Sequence, residues 1–395
     1  MTQTADIIII GAGSSGGAVA YYLAKKGVKN IIILEKRGPG SGATGHAAGL
    51  IRHHYPDRAL VRMVRYCARK FRDFEEEMGF GIDYVPNEFC YLTPENAPGV
   101  PETVAMQQEE GVRVELLKPE QAARLHPRGE INVEGVGYGL LDHDAAYADP
   151  YKVAAGYCER AKQLGVKVIN GVEALGFATD GKRVTRLITD KGDFSAGLIV
   201  NAAGLGAAAL NEKLGIRLPL RNFSLGHGVL IPDIPFEPDI LTINDASVED
   251  CLFFLRPESG GTVLIGMDQD DPARDFRPES YYLDVPFDKF GRFYAHLIKR
   301  LPFAADYRLS TAFGGLDVKT PDWNPGVGFL AGAPENYYQL VGGSGHAFKL
   351  APAFGKAVSE ELLGEPLSFD FSLFDINRLT KFSDADFSGS FFINE

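Results

Sequence analysis

An apolar strand that runs straight into a glycine-rich turn and then a helix leaves a chain few folds to choose from. Ile7-Ile8-Ile9-Ile10 is a β-branched run with no polar face, the pattern of a strand buried on both sides in a parallel sheet. Gly11-Ala12-Gly13-Ser14-Ser15-Gly16 follows at once. Val19, Tyr22, Leu23 and Lys26 then recur at helical spacing, and Gly27 stops the helix. A second apolar strand, Ile31-Ile32-Ile33-Leu34, ends on the acidic Glu35, 19 residues after Gly16. A GxGxxG alone is a weak signal, but between two strands and opening a helix it is the dinucleotide fingerprint. Gly11 permits the tight turn, Gly13 lets the backbone approach a pyrophosphate, and Gly16 lets helix and strand pack closely. The pyrophosphate meets the helix N-terminus, where Ser14 and Ser15 lie, and Glu35 accepts hydrogen bonds from an adenosine ribose.

Composition narrows the class. Of 395 residues, 45% are hydrophobic and 23% charged, the balance of an ordinary globular chain. That size predicts two domains or one large composite fold. The net charge of -12 argues against a nucleic-acid binder, which carries a basic footprint. Cys67, Cys90, Cys158 and Cys251 form no CxxC pair, so neither a zinc site nor a thioredoxin-type dithiol is supported, and buried free thiols are expected. No clusters with metal-ligand spacing are apparent. The start, Met1-Thr2-Gln3-Thr4-Ala5-Asp6, has no basic n-region, and no apolar run reaches the ~18–20 residues that span a bilayer. The expectation is a soluble cytoplasmic protein.

Along the remaining chain, Leu60, Val64, Cys67, Phe71, Phe74 and Met78 predict an amphipathic helix over 58–78. Its other face carries Arg62, Arg65, Arg69, Lys70 and Arg72, a solvated face with Glu75–Glu77 as partners. Residues 81–145 are turn-rich and read as a small mixed sheet in an inserted domain. A helix is predicted over 150–164, and strands at 166–169, 184–189 and 198–200, with Asp180-Gly181 and Lys191-Gly192 as hairpin turns. Candidate strands at 226–231, 251–256 and 262–267 indicate a second, antiparallel region. A strand at 337–341, a glycine loop and a helix over 350–363 follow. The tail from Leu367 is rich in phenylalanine (Phe369, Phe371, Phe374, Phe382, Phe387, Phe391, Phe392). So much exposed aromatic surface would aggregate, so the tail is expected to pack on the body or on a neighbouring subunit, where it would support an oligomer.

Three separated motifs carry a family resemblance: Gly11–Gly16 with Glu35, Val200–Gly206, and Gly342-Gly343-Ser344-Gly345-His346-Ala347-Phe348-Lys349-Leu350-Ala351-Pro352. Together they resemble the D-amino-acid-oxidase superfamily of FAD enzymes, in the branch of sarcosine oxidases and dimethylglycine dehydrogenases, over about residues 5–365. The small-residue loop after Glu35, through Lys36, Gly38, Gly40 and Thr44, is similar to that of glutathione-reductase-like FAD proteins. The resemblance implies an α/β fold: a glutathione-reductase-like Rossmann domain for FAD assembled from discontinuous segments 1–80, 146–220 and 320–366. An α+β substrate domain with a mainly antiparallel sheet would take 81–145 and 221–319, leaving 367–395 as the tail.

Carried over residue by residue, the resemblance implies FAD contacts from Gly11, Gly13, Ser14, Ser15, Gly16, Glu35, Lys36, Ala43, Thr44, His46, Ala47, Ala48, Val172, Ala202, Gly204 and Gly314. Gly343, Ser344, Gly345, His346, Ala347, Phe348 and Lys349 would pass the pyrimidine side of the flavin. Gly45-His46-Ala47-Ala48-Gly49-Leu50 resembles the dimethylglycine-dehydrogenase segment whose histidine carries the flavin covalently; noncovalent FAD is the preferred reading and a bond through His46 the alternative. A cysteinyl flavin has no counterpart in Ala312–Asp317. Arg52, in Gly49-Leu50-Ile51-Arg52-His53-His54-Tyr55, and Lys349 match the pair that holds the substrate carboxylate in monomeric sarcosine oxidase. Arg52, Lys349, His53, Tyr55 and His346 are the candidate catalytic set, with His54 and His227 as further polar contacts and no residue assigned as base. The chain departs from the sarcosine oxidase pattern at Leu264, where a lysine thought to assist the reaction with oxygen would fall, at Gly49, and at Phe253-Phe254, which lack hydroxyls.

The implied activity is FAD-dependent oxidation of the C–N bond of a carboxylate-bearing amine (an N-methyl or secondary amino acid, or a D-amino acid) to an imine by hydride transfer to flavin N5. The electron acceptor would be oxygen, a quinone or an electron-transfer flavoprotein. Two alternatives stay open: an FAD-dependent 2-hydroxy-acid dehydrogenase and a non-catalytic flavoprotein scaffold or assembly factor.

Overall fold

Ile7–Ile10 are buried at the centre of a sheet, as their unbroken β-branched character requires. The structure is a computed structural model that describes residues 3–235, 237, 240–248, 251–268 and 287–387. Its main strands, in chain order, are β1 (Gln3–Ile10), β2 (Ile31–Glu35), β3 (Phe89–Pro94), β4 (Val114–Leu117), β5 (Val136–Asp142), β6 (Lys167–Asn170), β7 (Ala174–Thr179), β8 (Val184–Thr189) and β9 (Phe194–Asn201). They continue with β10 (Arg221–Ile231), β11 (Thr242–Val248), β12 (Cys251–Pro257), β13 (Val263–Asp268), β14 (Arg308–Lys319), β15 (Gly326–Phe329) and β16 (Tyr337–Val341). The principal helices are α1 (Ser14–Lys25), α2 (Arg58–Arg72), α3 (Pro150–Gln163), α4 (Phe287–Arg300) and α5 (Ala347–Leu362).

Two eight-stranded sheets organise these elements. In the first, β1 pairs in parallel with β9 and β2, and β2 with β6. The hairpin strands β7 and β8 extend past β9, and β16 also lies parallel to β9, with β15 beside it. Helices α1, α3 and α5 cover one face. The α1–α5 crossing is close because Gly355 faces Ala18: a Cβ on Gly355 would fall 2.8 Å from the Ala18 carbonyl carbon. The second sheet runs in the order β14-β10-β13-β12-β11-β3-β5-β4 and is antiparallel except where β11 pairs with β3. A separate apolar core lies between it and α4, with Phe253, Phe293 and Leu297 at its centre.

Several expectations need correction. The helix over 58–78 is two helices that meet at Asp73. Asp73 is a poor helix former, and its carboxylate accepts from the Arg72 guanidinium at 2.8 Å. The arginine face finds partners mainly off its own segment: Arg58 and Arg62 pair with Glu110, and of the expected acids only Glu77 takes part, with Lys70 at 2.7 Å. Residues 81–145 do not form a small sheet of their own, because β3, β5 and β4 join the second sheet through the β11–β3 pairing. The last helix starts at Ala347 rather than 350, which puts Phe348 and Lys349 in its first turn. The tail packs back on the body: Phe374, Ile376 and Leu379 are buried, Phe354 meets Phe374 at 5.3 Å between ring centroids, and Arg378 binds Asp322 at 2.7 Å. Phe391 and Phe392 lie outside the described residues. Cys67, Cys90 and Cys158 are free and buried, while the Cys251 side chain is outside the described set. Among the described residues no helix is long and apolar enough to cross a membrane, and no group of three or more His, Cys, Asp and Glu side chains could hold a metal ion.

Candidate active site

The turn after β1 opens onto a cavity of about 580 Å³. Gly11 has φ +106°, and a Cβ there would fall 2.3 Å from the Ala202 carbonyl oxygen; on Gly16 it would fall 2.1 Å from the Gly11 carbonyl oxygen. Glycine is therefore obligatory at both positions for internal packing. At Gly13 the nearest atom to a Cβ would be Thr44 Oγ1, at 3.0 Å, and this glycine faces the cavity. Gly13 offers α1 no side-chain cap; Thr44 Oγ1 accepts the Ser14 N–H at 3.1 Å, and the remaining N–H groups of the first turn stay available to an anion. The Glu35 carboxylate is held in place by two backbone groups: Oε2 accepts the Ala12 N–H and Oε1 the Arg37 N–H, each at 2.9 Å. Gly11, Gly13, Ser14, Ser15, Gly16, Glu35, Lys36, Ala43, Thr44, Val172, Ala202, Gly204, Gly343 and Ala347 all line this cavity. A cleft with a glycine turn, a helix N-terminus and a carboxylate at the end of the neighbouring strand fits a dinucleotide.

A second cavity of about 180 Å³ adjoins the first; Ala43, Thr44, Asp317 and Ala347 line both. His46, Ala47, Ala48, Arg52, Gly345, Phe348 and Lys349 line this one. Arg52 and Lys349 come from opposite ends of the sequence, and both are buried. The Arg52 guanidinium donates to the His54 carbonyl (2.7 Å) and lies over the Tyr55 ring, 5.1 Å from its centroid. Lys349 Nζ donates to the Gly345 carbonyl at 2.7 Å. Burial, then the neighbouring Arg52 charge, pushes the Lys349 pKa well down, while Asp317 acts in the opposite sense. Two buried cationic side chains on one small cavity make a site that an anion would stabilise.

Three of the candidate catalytic residues stand behind the cavity wall. His53 donates its backbone N–H to Asp142 Oδ2 at 2.8 Å, and its Nδ1 lies 3.1 Å from the same oxygen. The Tyr55 hydroxyl bonds His346 Nδ1 at 2.8 Å. These bonds tie the 52–55 loop to the end of β5 and to the start of α5, so they position Arg52 and Lys349. Burial pushes the Tyr55 pKa up to about 12 and the His346 pKa well below the usual histidine range. Ser344 and Gly314, expected near the flavin, also do not line either cavity. Ser344 Oγ accepts the Thr320 N–H at 3.1 Å and Gly314 lies opposite Gly226 in the sheet; both residues shape the backbone.

Some residues at the site gave no recognisable signal in the sequence, or only a faint one. Asp317 lies half-buried between the two cavities and accepts N–H bonds from Val318, at 2.7 Å, and from Gly345. Burial pushes its pKa up to about 6, against those two bonds and the Lys349 charge. Its faint signal is a lone acid inside the apolar strand Gly315-Leu316-Asp317-Val318. Lys319 is fully buried, 5.1 Å from the centroid of Phe223 and 4.9 Å from that of Trp323, and those two rings line the second cavity. His227 and Phe254, both singled out in the sequence, line it too, and cross-strand pairing brings Asn244, which carried no signal, beside them. Leu264, where the resemblance placed a missing lysine, is buried in β13.

Comparison with known proteins agrees with this geometry. The sequence profile of the DAO family, described as FAD dependent oxidoreductase, matches residues 6–361. The beta subunit of sarcosine oxidase from Rhodobacter capsulatus is 24% identical, over 93% of this chain and 87% of that protein. Human mitochondrial dimethylglycine dehydrogenase is 25% identical over 97% of this chain, which spans only 45% of that longer protein. Among solved structures, L-proline dehydrogenase from P. horikoshii superposes with a TM-score of 0.85 at 23% identity, covering 96% of this chain and 99% of the other.

Proposed function

The chain belongs to the DAO family of FAD-dependent oxidoreductases, and from that premise we propose that it oxidises the C–N bond of a small carboxylate-bearing amine to an imine. The reading gives the large cavity, with the elements of 1–80, 146–220 and 320–366 around it, to FAD. It gives the second cavity, roofed by strands of 221–319, to the substrate. FAD supplies the acceptor for a hydride and its electron pair. Arg52 grips the carboxylate with guanidinium geometry, and Lys349 adds a point charge. Together they fix the molecule so that one C–H of the carbon next to nitrogen faces the acceptor. The His53–Asp142 and Tyr55–His346 bonds hold that pair in place. Phe223, Phe254, Leu316 and Trp323 on the cavity wall exclude water and favour the neutral amine, the form that can release hydride.

The observation that carries this reading is the convergence of Arg52 and Lys349, both buried, on a cavity that adjoins the dinucleotide cleft. Names of relatives that act on sarcosine, dimethylglycine and proline agree with it. Lys349→Ala tests it. Loss of one charge-assisted contact of about 1.5–3 kcal/mol should raise KM for carboxylate-bearing amines roughly 10–100-fold. Flavin content should be unchanged. An unchanged KM would remove the carboxylate role.

A further inference from the structure

Resting on that reading of the second cavity, the roof of the pocket carries an unassigned polar group. His227 is 1% exposed, and neither of its ring nitrogens has a hydrogen-bond partner. Buried polar atoms without partners are rare and costly, so each one needs an explanation. His227 lies in the middle of β10, opposite Phe313 on β14 and Gly266 on β13. Gly266 is opposite Phe254 on β12, and Phe254 opposite Asn244 on β11. Directly opposed residues share a face of the sheet, and His227, Phe254 and Asn244 all line the cavity. This row is therefore the roof, and Arg52 and Lys349 reach the same space from the loop and helix outside that sheet.

The chain makes room for the imidazole. A Cβ on Gly266 would fall 2.8 Å from His227 Cδ2, and on Gly315 it would fall 2.5 Å from Cε1. Phe254 and Phe313 meet the ring edge-on at 5.6 and 5.2 Å between centroids, a clamp with no hydrogen-bond donor. Burial first, then the charges of Arg256 and His46, push its pKa down to about 3, so the ring stays neutral and keeps an acceptor lone pair. Asn244 Oδ1 is also buried without a partner. The roof thus offers acceptors opposite a floor of cations.

We propose that His227 contacts the substrate and accepts a hydrogen bond from the N–H of the amine whose carboxylate Arg52 and Lys349 hold. Accepting from N–H leaves the nitrogen lone pair free to form the C=N bond as hydride leaves the adjacent carbon. The N–H becomes more acidic as that bond forms, so the contact strengthens toward the transition state. The site then selects amines that keep an N–H when neutral: primary and secondary amino acids, not tertiary ones.

The test uses the flavin-loaded enzyme with His227→Phe and His227→Gln. Acetate, N-methylglycine, L-proline and N,N-dimethylglycine are the probes, read by perturbation and anaerobic bleaching of the flavin band. The wild type should be reduced at least about tenfold faster by a secondary than by the tertiary amine. His227→Phe should slow reduction by the secondary amine roughly 10–100-fold and erase that preference. Acetate should bind within about twofold of wild type in both variants, and His227→Gln should recover part of the rate. An unchanged preference in His227→Phe, or acetate weakened as much as the amines, overturns the proposal. If His227→Phe does not retain flavin, His227→Gln decides by the same ratio. A wild type that prefers the tertiary amine sinks this inference alone, whereas a wild-type flavin bleached by none of the amines sinks the amine-oxidation reading and this inference with it.

Discussion

Asp317 concentrates the electrostatics of the site. Its pKa is raised from 3.8 to about 6 by burial, so the folded state binds a proton more tightly than the unfolded one. The sign follows: the chain loses stability as pH rises from about 4 through 6. Asp317→Asn removes that titration. The melting temperature of the variant relative to wild type should therefore rise across that window, in apoprotein measured from pH 4 to 7. A constant difference would show that Asp317 ionises as freely as in water. Beforehand only a lone acid in an apolar strand was legible, because Asp317 becomes a site residue only when Gly345 and Lys349 are folded against it.

At the scale of elements, what the sequence revealed was local. The β1–turn–α1–β2 unit and Glu35 could be read directly, because every residue that defines them lies within 35 positions. The Gly16 contact supports a sharp prediction. Gly16→Ala sets a Cβ 2.1 Å from a backbone oxygen, a clash that only a shift of strand against helix relieves, and overpacking of this kind typically costs about 1–3 kcal/mol or more. Flavin content after purification should fall about tenfold or more, whereas Gly38→Ala, with nothing within 4 Å, should keep its flavin. The placement of 81–145 was not legible. Strand β3 enters the second sheet through Thr242↔Phe89, a parallel pairing over a long sequence separation that no local pattern encodes. The row from Phe313 to Asn244 was hidden for the same reason. Arg52 and Lys349 were found by resemblance, not by spacing.

At the scale of the whole molecule, two sheets enclose two adjoining cavities, and the C-terminal tail closes against the first sheet. Burial of Phe374 against Phe354 makes the tail part of the fold. Phe374→Ala should cost about 3–5 kcal/mol, read as a lower denaturant midpoint; a loss below about 1 kcal/mol would mean that the tail is dispensable. The central claim is that the two cavities hold FAD and a carboxylate-bearing amine side by side. Its most direct test is anaerobic titration of the purified protein with N-methylglycine, N,N-dimethylglycine, L-proline, D-amino acids and 2-hydroxy acids, followed at the flavin band. Bleaching by amines that carry a carboxylate, and not by 2-hydroxy acids, is the predicted result. Bleaching by hydroxy acids alone, or a flavin band that no carboxylate-bearing amine alters, would contradict it.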